Sequence, residues 1–127
     1  MIVGTGVDIA EVHRIRESIE RFGDRFLHRI YTEGEIQYCE RKNVTRFESY
    51  AARFAAKEAG MKALGTGWRG GVGWHDFEVV RPPDGPPVLR VRGEAARLAR
   101  RRRLARWHLT ITHSRTTAIA WVLVERR

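Results

Sequence analysis

Cysteine is almost absent from this 127-residue chain, in which Cys39 stands alone. One cysteine cannot form an internal disulfide, and no Cys/His cluster has the spacing of a zinc site. Long hydrophobic runs are missing too, because every apolar stretch is much shorter than the roughly 18 residues of a membrane span. The amino-terminal MIVGTGVDIA has neither the basic start nor the cleavage site of a secretory signal. These absences predict a cytoplasmic protein that does not enter the membrane.

Acidic residues are also scarce, since 15 Asp and Glu face 24 Lys and Arg and leave a formal net charge of +9. Such a basic surface attracts nucleic acid, anionic lipid or an acidic protein, and charge alone does not choose among them. A hydrophobic content of 43% and a charged content of 31% are typical of a folded globular chain. The length predicts one domain, residues 1–127.

Hydrophobic periodicity and turn residues predict an α+β fold, with a small antiparallel sheet packed on a long helix. Capping boxes at Thr32–Glu35 and Thr45–Glu48 predict two helix starts, the second opening the long helix that runs to about Leu64. The predicted strands cover residues 2–8, 75–80 and 88–91, and a terminal hairpin covers 107–125. The other predicted helices cover residues 11–22, 24–30 and 94–104.

The segment RFAAKEAGMKALGTG, residues 53–67, is the most informative part of the chain. It combines three cations (Arg53, Lys57 and Lys62) with the carboxylate Glu58 and a Gly-Thr-Gly exit that begins at Gly65. Cations on one helix can bind several phosphate oxygens through charge-assisted hydrogen bonds. A solvated helix face is the ordinary alternative for such a set.

A second carboxylate, Asp8, ends the first predicted strand and can meet Glu58 in space. Two carboxylates suffice for Mg²⁺, which completes its coordination with water and substrate phosphates. The alternative is that Asp8 caps the following helix while Glu58 pairs with Lys62 four residues later.

Three other groups of polar residues are candidates for binding. His113 and Ser114 lie at a predicted strand end, where ligands often meet a sheet edge. Arg14, Arg21 and Arg25 can form a docking face for an acidic partner, or can simply be solvated. The run Arg100–Arg103 resembles a nucleic-acid patch, but no stacking aromatic residue accompanies it, which favours a solvated helix end.

Together these motifs resemble the holo-[acyl-carrier-protein] synthase family, the small bacterial 4'-phosphopantetheinyl transferases. The resemblance spans essentially the whole chain. It is carried by GTGVDIAEVHRI, residues 4–15, by ARFAAKEAGMKALGTG, residues 52–67, and by DFEV, DGPPVL and the terminal LTITHSRTTAIAWVLVE. The first two blocks are specific in combination and spacing.

The resemblance implies transfer of the phosphopantetheine arm of coenzyme A to a serine of apo acyl carrier protein, which releases adenosine 3',5'-bisphosphate. Asp8 and Glu58 would hold Mg²⁺, and Glu58 or a metal-bound water would take the serine proton. Lys57 and Lys62 would hold the pyrophosphate, with Lys62 offsetting leaving-group charge. The resemblance also implies a homotrimer with active sites between subunits. Further implied contacts are Arg53 and His113 near the 3'-phosphate, Ser114 as a further coenzyme-binding residue, Gly65, Gly85 and Pro87 bordering the nucleotide, and Arg14, Arg21 and Arg25 docking the carrier protein.

Two other functions remain open at this stage. A small basic domain that binds RNA or DNA would explain the charge, and an inactive relative could keep the fold as an interaction scaffold. The presence of Asp8, Glu58, Lys62 and His113 argues against the scaffold. Pro86 stands where many relatives have a basic residue, so one nucleotide contact is expected to be missing.

Overall fold

The computed structural model describes residues 1–127 and has an α+β fold, as the sequence predicts. A three-stranded antiparallel sheet has the strand order β1-β5-β4, and β2 and β3 form a separate antiparallel hairpin. The elements in chain order are β1 (Ile2–Glu11), α1 (Val12–Phe22), α2 (Asp24–Ile30), α3 (Glu33–Arg41), α4 (Arg46–Leu64), β2 (Phe77–Val80), β3 (Val88–Val91), α5 (Gly93–Arg101), β4 (Leu104–His113) and β5 (Thr117–Arg126).

Helix α4 is the centre of the structure. Thirteen of its 19 residues are buried, because the three-stranded sheet packs on one side while α1, α3 and the β2–β3 hairpin contact it elsewhere. Alanine predominates along it, and small side chains let elements approach from several directions. A single cluster of 26 buried hydrophobic residues, from Ala10 to Val124, forms the core around this helix.

Glycines bring β1 against α4 at van der Waals distance. A Cβ placed on Gly6 would lie 2.1 Å from the Ala59 carbonyl oxygen, and one on Gly4 would lie 2.3 Å from that of Ala63. Gly60 serves the opposite side of α4 in the same way, since a Cβ there would lie 2.9 Å from Cδ1 of Phe77. Gly60 weakens a helix by about 1 kcal/mol relative to alanine, and the close approach of the hairpin explains its presence.

The two predicted capping boxes have different outcomes. Thr32 accepts a hydrogen bond from the Glu35 amide while the Glu35 side chain accepts from the Thr32 amide, which confirms the first box. The second box is wrong, although α4 does begin next to Thr45. A 3₁₀ turn at Asn43–Thr45 leads straight into α4, and the backbone of Thr45 (φ −98°, ψ 18°) is not extended as an N-cap requires.

The carboxyl-terminal third differs from the sequence prediction in its boundaries. Helix α5 ends at Arg101 and β4 begins at Leu104, three residues before the predicted strand. Arg102 lies between them and donates from Nη1 to the Leu64 carbonyl oxygen at 2.7 Å, which satisfies a free carbonyl at the end of α4. One member of the arginine run therefore has a structural role.

The faces of β1 are reversed relative to an ordinary half-buried strand. Gly4, Gly6, Asp8 and Ala10 face α4, whereas the larger apolar side chains of Val3, Val7 and Ile9 are exposed on the other side of the strand. On that outer face Val7 is 49% exposed, Ile9 61% and, on β5, Trp121 52%. Among the helices, none is both long enough and apolar enough to cross a bilayer.

Candidate active site

Asp8, Glu58 and Lys62 come together where β1 crosses the middle of α4. Lys62 Nζ lies 2.8 Å from Asp8 Oδ1 and donates a further hydrogen bond to the Val7 carbonyl oxygen at 3.0 Å. The predicted alternative, an i,i+4 pair between Glu58 and Lys62, is not among the ion pairs of the structure. The glycines of β1 produce this arrangement, because larger residues would hold Asp8 away from α4.

The electrostatics of this group are dominated by two neighbouring carboxylates. Partial burial raises the pKa of Glu58, the negative charge of Asp8 raises it further, and the Lys62 ammonium opposes both. The positive charge of Lys62 therefore offsets part of the negative charge of both Asp8 and Glu58. A carboxyl group whose pKa is raised in this way accepts a proton more readily than an ordinary glutamate does.

The carboxylates of Asp8 and Glu58 are suited to bind Mg²⁺. They provide hard oxygen donors that repel one another in the absence of a cation, as the raised pKa of Glu58 indicates. No cluster of three or more potential His, Cys, Asp or Glu ligands occurs in the chain. Mg²⁺ tolerates such a sparse protein ligand set when phosphates and water complete its shell.

A second group of predicted residues lines a cavity of about 310 Å³ between α3, α4, the β2–β3 hairpin and β4. Arg53, Pro87 and His113, which lie far apart in sequence, meet there. The remaining lining residues were not predicted from the sequence to bind a ligand: Tyr38, Lys42, Thr45, Ser49, Ala52, Arg81 and Ile111. We call this space the His113 cavity.

The His113 cavity is strongly cationic. The Arg53 guanidinium lies over the ring of Tyr38, 4.0 Å from its centroid, and the Lys42 ammonium lies 5.0 Å from the same ring. Partial burial alone would raise the pKa of Tyr38, but contact with Lys42 and the positive charges of Arg53 and Arg81 lower it. A cavity with these charges, hydroxyl groups and an apolar wall suits a phosphorylated nucleoside.

The prediction that Lys57 holds pyrophosphate is wrong. Its side chain is fully buried, and Nζ lies 2.8 Å from Glu35 Oε1 and donates to the carbonyl oxygens of Phe77 and Trp74 at 2.5 and 3.2 Å. Burial lowers the pKa of Lys57, and Glu35 counteracts that effect. All three ammonium hydrogens have acceptors inside the protein, so none is left for a ligand.

The remaining predicted contacts border these two sites without lining the cavity. Gly65 ends α4 in the left-handed conformation (φ 86°), one turn beyond Lys62. Gly85 accepts a hydrogen bond from Arg81 Nε at 3.0 Å, which links its turn to the cavity wall. The Ser114 hydroxyl oxygen accepts hydrogen bonds from the amides of Thr116 and Thr117, so its present partners belong to the β4–β5 turn.

We call Asp8, Glu58 and Lys62 together the acidic group. It lies on a different side of α4 from the His113 cavity. Arg53 and Glu58 are five residues apart, which is roughly 140° around a helix and about 7.5 Å along it. None of Asp8, Glu58 and Lys62 lines the cavity. The chain therefore presents the two halves of the predicted site on separate surfaces.

The predicted docking arginines lie on exposed helix surfaces. Arg14 and Arg21 line a shallow depression on α1, beside Ser18 and the half-exposed ring of Phe22. Arg25 is exposed on the neighbouring α2. An apolar ring flanked by arginines suits an acidic amphipathic helix.

Sequence reasoning did not identify Tyr38, Lys42 and Arg81 as cavity residues. They belong to α3, its C-terminal cap and the end of β2, and no motif connects them. The one available signal was position along the chain. Lys42 directly precedes the turn before α4, and Arg81 directly precedes the turn between β2 and β3.

Comparisons with known proteins identify the family of this chain. The family model of the 4'-phosphopantetheinyl transferase superfamily matches residues 4–122. A holo-[acyl-carrier-protein] synthase of Solibacter usitatus (strain Ellin6076) is 59% identical over 125 residues, which cover 98% of this chain and 99% of that protein. The crystal structure of holo-[acyl-carrier-protein] synthase from Neisseria meningitidis matches with a TM-score of 0.88 and 32% identity, over 99% of this chain and 100% of that one.

A second solved structure is informative about ligands. The holo-(acyl-carrier-protein) synthase from Bacillus anthracis, solved in complex with CoA (3',5'-ADP), matches with a TM-score of 0.79 and 38% identity, over 100% of this chain and 99% of that one. The family model and the identity over nearly the full length lead to one conclusion. This chain belongs to the 4'-phosphopantetheinyl transferase superfamily.

Proposed function

We propose that this chain transfers the 4'-phosphopantetheine arm of coenzyme A to a serine of apo acyl carrier protein and releases adenosine 3',5'-bisphosphate. The observation that carries the proposal is the convergence of Asp8, Glu58 and Lys62 on one face of α4 in a chain of this superfamily. The relatives named above are holo-[acyl-carrier-protein] synthases, and one of them binds coenzyme A.

In the reaction, the carrier serine Oγ attacks the phosphorus that bears the pantetheine arm. A new oxygen–phosphorus bond forms, the bond to the bridging oxygen of the pyrophosphate breaks, and the bisphosphate leaves with that oxygen. Glu58 accepts the proton of the serine hydroxyl, a role for which its raised pKa is suited. Lys62 places a positive charge where negative charge accumulates on the phosphates.

Asp8 and Glu58 are the residues that would hold Mg²⁺ in this reaction. When bound, Mg²⁺ would neutralise charge on the pyrophosphate oxygens, which phosphoryl transfer requires. The two carboxylates need this cation for a second reason, since Lys62 alone does not balance them. A charged carboxylate pair without a cation would repel the pyrophosphate.

The His113 cavity is the proposed site for the bisphosphate nucleotide. Arg53 and Lys42 provide cations for the 3'-phosphate, His113 provides a ring N–H as a hydrogen-bond donor, and Pro87 and Ile111 provide an apolar wall for the base. Lys57 is not part of this proposal, because its ammonium group is paired inside the protein.

A homotrimer with active sites between subunits is part of the same proposal. Two features support it: the acidic group and the His113 cavity lie on different sides of α4, and the outer face of the sheet exposes Val7, Ile9 and Trp121. A neighbouring subunit seated on that face would cover the apolar side chains and complete each site. Light scattering should then give the mass of three chains.

Complementation between inactive subunits tests the shared site. Asp8→Asn damages the acidic group and His113→Ala damages the cavity, so each homotrimer should be nearly inactive. Mixed trimers should recover part of the activity, because some of their interfaces combine an intact acidic group with an intact cavity. Absence of recovery in verified mixed trimers would place each active site within one subunit.

The proposed acceptor is an acidic carrier protein that docks on Arg14, Arg21 and Arg25 and is attracted by the net charge of +9. The direct test mixes the purified chain with apo acyl carrier protein, coenzyme A and Mg²⁺, followed by mass spectrometry of the carrier. The expected product is the carrier with one phosphopantetheine on its serine. A carrier with its serine replaced by alanine is the negative control and should stay unmodified. If the natural carrier also stays unmodified, the proposal is refuted. A cytoplasmic location for this reaction remains a prediction.

A further inference from the structure

A second cationic space adjoins the His113 cavity and is not explained by the proposed reaction. It is a groove of about 370 Å³ between α3 and the β2–β3 hairpin, which we call the hairpin groove. It shares Tyr38, Arg53 and Arg81 with the His113 cavity, but neither His113 nor Pro87 lines it. Its own charged residues are Arg41, Arg90, Arg92 and Glu78.

The register of the elements explains why these charges converge. Arg90 lies directly opposite Glu78 in the β2–β3 ladder, so both side chains project from the same face of the hairpin. Arg41 lies on the face of α3 that also carries Gly34 and Tyr38, at helical spacing. The groove is therefore built mainly by α3 and the β2–β3 hairpin, with Arg53 from α4 and with Arg81 and Arg92 directly after the two strands.

The charge of the hairpin groove is strongly positive after all internal pairing. Glu78 Oε1 lies 2.6 Å from Arg92 Nη2, and its Oε2 accepts a hydrogen bond from the Thr32 hydroxyl at 2.7 Å. The other four guanidinium groups take part in none of the ion pairs of the structure. Four arginines around one concave space repel each other unless an anion lies between them.

Arg53, which lines both spaces, provides a second observation. Its side chain is only 5% exposed, and its Nε is buried with no hydrogen-bond partner. A buried polar atom without a partner is unusual in native proteins and costs stability. A ligand oxygen that contacts Arg53 Nε would satisfy it, and the groove is one of the two spaces that Arg53 lines.

We propose that the hairpin groove is an anion site that binds a phosphate-bearing small molecule, either free pyrophosphate or the phosphates of a nucleotide. Arginine forks match the geometry of phosphate oxygens, and a concave space of this size holds a small anion. Because Arg53 lines both spaces, an anion in the groove competes for the guanidinium that the His113 cavity uses. Occupancy of the groove therefore weakens nucleotide binding in the cavity.

The test titrates ¹⁵N-labelled protein with pyrophosphate at constant ionic strength, in a His113→Ala, Lys42→Ala background that weakens binding in the His113 cavity. Amide shifts are expected at Gly34, Val79 and Val80. Arg41→Gln with Arg90→Gln should weaken binding at least about tenfold, because two charge-assisted contacts are lost. Arg100→Gln with Arg101→Gln removes the same charge from α5, outside the groove, and should change affinity less than about twofold.

A variant with the opposite effect guards against a trivial loss of structure. Glu78→Gln keeps the acceptor for Thr32 and removes the only negative charge from the groove, so pyrophosphate should bind several-fold more tightly. Parallel titrations with pyrophosphate and ADP identify the source, since tighter binding of ADP assigns the site to nucleotides. Equal losses in the two arginine pairs, or shifts absent from Gly34, Val79 and Val80, would overturn the proposal.

Discussion

Lys57 Nζ lies 2.8 Å from Glu35 Oε1, and neither side chain is exposed to solvent. The other carboxylate oxygen of Glu35 accepts the Val79 amide at 2.8 Å, so one buried ion pair joins α3, α4 and β2. Replacing such a pair by apolar residues is often neutral, whereas removing one partner leaves an unpaired buried charge. The pair therefore holds three elements in place without necessarily adding net stability.

Removing one member of this pair should be costly. Lys57→Met should reduce the free energy of unfolding by about 3–5 kcal/mol, because Glu35 loses its counter-ion in the interior. The double variant Lys57→Met with Glu35→Gln should recover part of that loss, as measured by urea unfolding. A different result would show that Lys57 binds substrate: the double variant would be as stable as the unaltered protein, but its KM for coenzyme A would rise strongly.

The carboxylates of the acidic group should be essential for turnover. Asp8→Asn and Glu58→Gln should each lower kcat/KM by at least about 100-fold, because several kcal/mol of charge stabilisation around the phosphates is lost. Glu94→Gln, on α5, is the matched control and should have little effect. EDTA should abolish activity of the unaltered protein. Activity that survives both Asp8→Asn and Glu58→Gln would contradict the proposed metal site.

The pH dependence of stability should reveal the strain at Glu58. Because the folded-state pKa of Glu58 is raised by burial and by Asp8, its contribution to stability is present below the unfolded-state pKa and is lost as pH rises through the folded-state value. Without metal, Glu58→Gln should therefore melt above the unaltered protein at pH 7, and the difference should shrink on acidification and disappear well below about pH 4. Equal melting temperatures at pH 7 would contradict the raised pKa.

The contact between β1 and α4 should not tolerate a methyl group at Gly6. A Cβ there would lie 2.1 Å from a backbone oxygen, which cannot move without displacing the helix. Gly6→Ala should cost at least about 2 kcal/mol and should lower activity even where the protein is folded, because Asp8 moves with β1. Gly34→Ala on α3 is the control, since its Cβ would meet only a carboxylate oxygen at 3.4 Å.

Docking of the carrier protein should depend on α1. Arg14→Glu should raise the KM for carrier protein about tenfold while leaving the KM for coenzyme A nearly unchanged, because it reverses a charge on the proposed docking face only. Arg101→Glu makes the same change on α5 and should have a much smaller effect. Parallel increases in both KM values would argue against a separate docking face.

Local features were predictable from sequence where the interaction itself is local. The Thr32 capping box depends on residues three apart, and the terminal hairpin depends on alternation within two strands, so both are confirmed. The Thr45 box failed because the same motif followed a 3₁₀ turn that enters α4 directly. The prediction that Lys57 holds pyrophosphate failed for another reason. An argument from helix faces assumes that one face is solvated, and α4 is covered on several sides.

The amino-acid sequence by itself determined the α+β class, the approximate elements and the basic character, since these follow from short-range patterns and composition. The superfamily came from the resemblance of whole motifs to a known family. Tertiary structure decided which charged residues are buried and which meet. Asp8 reaches Lys62 across 54 residues because Gly4 and Gly6 admit α4, and Lys57 meets Glu35 because α3 packs on α4. The free-energy cost of burying a charge depends on its partners, and only tertiary packing brings those partners within a few ångströms. For that reason no pattern along the chain identified these two ion pairs.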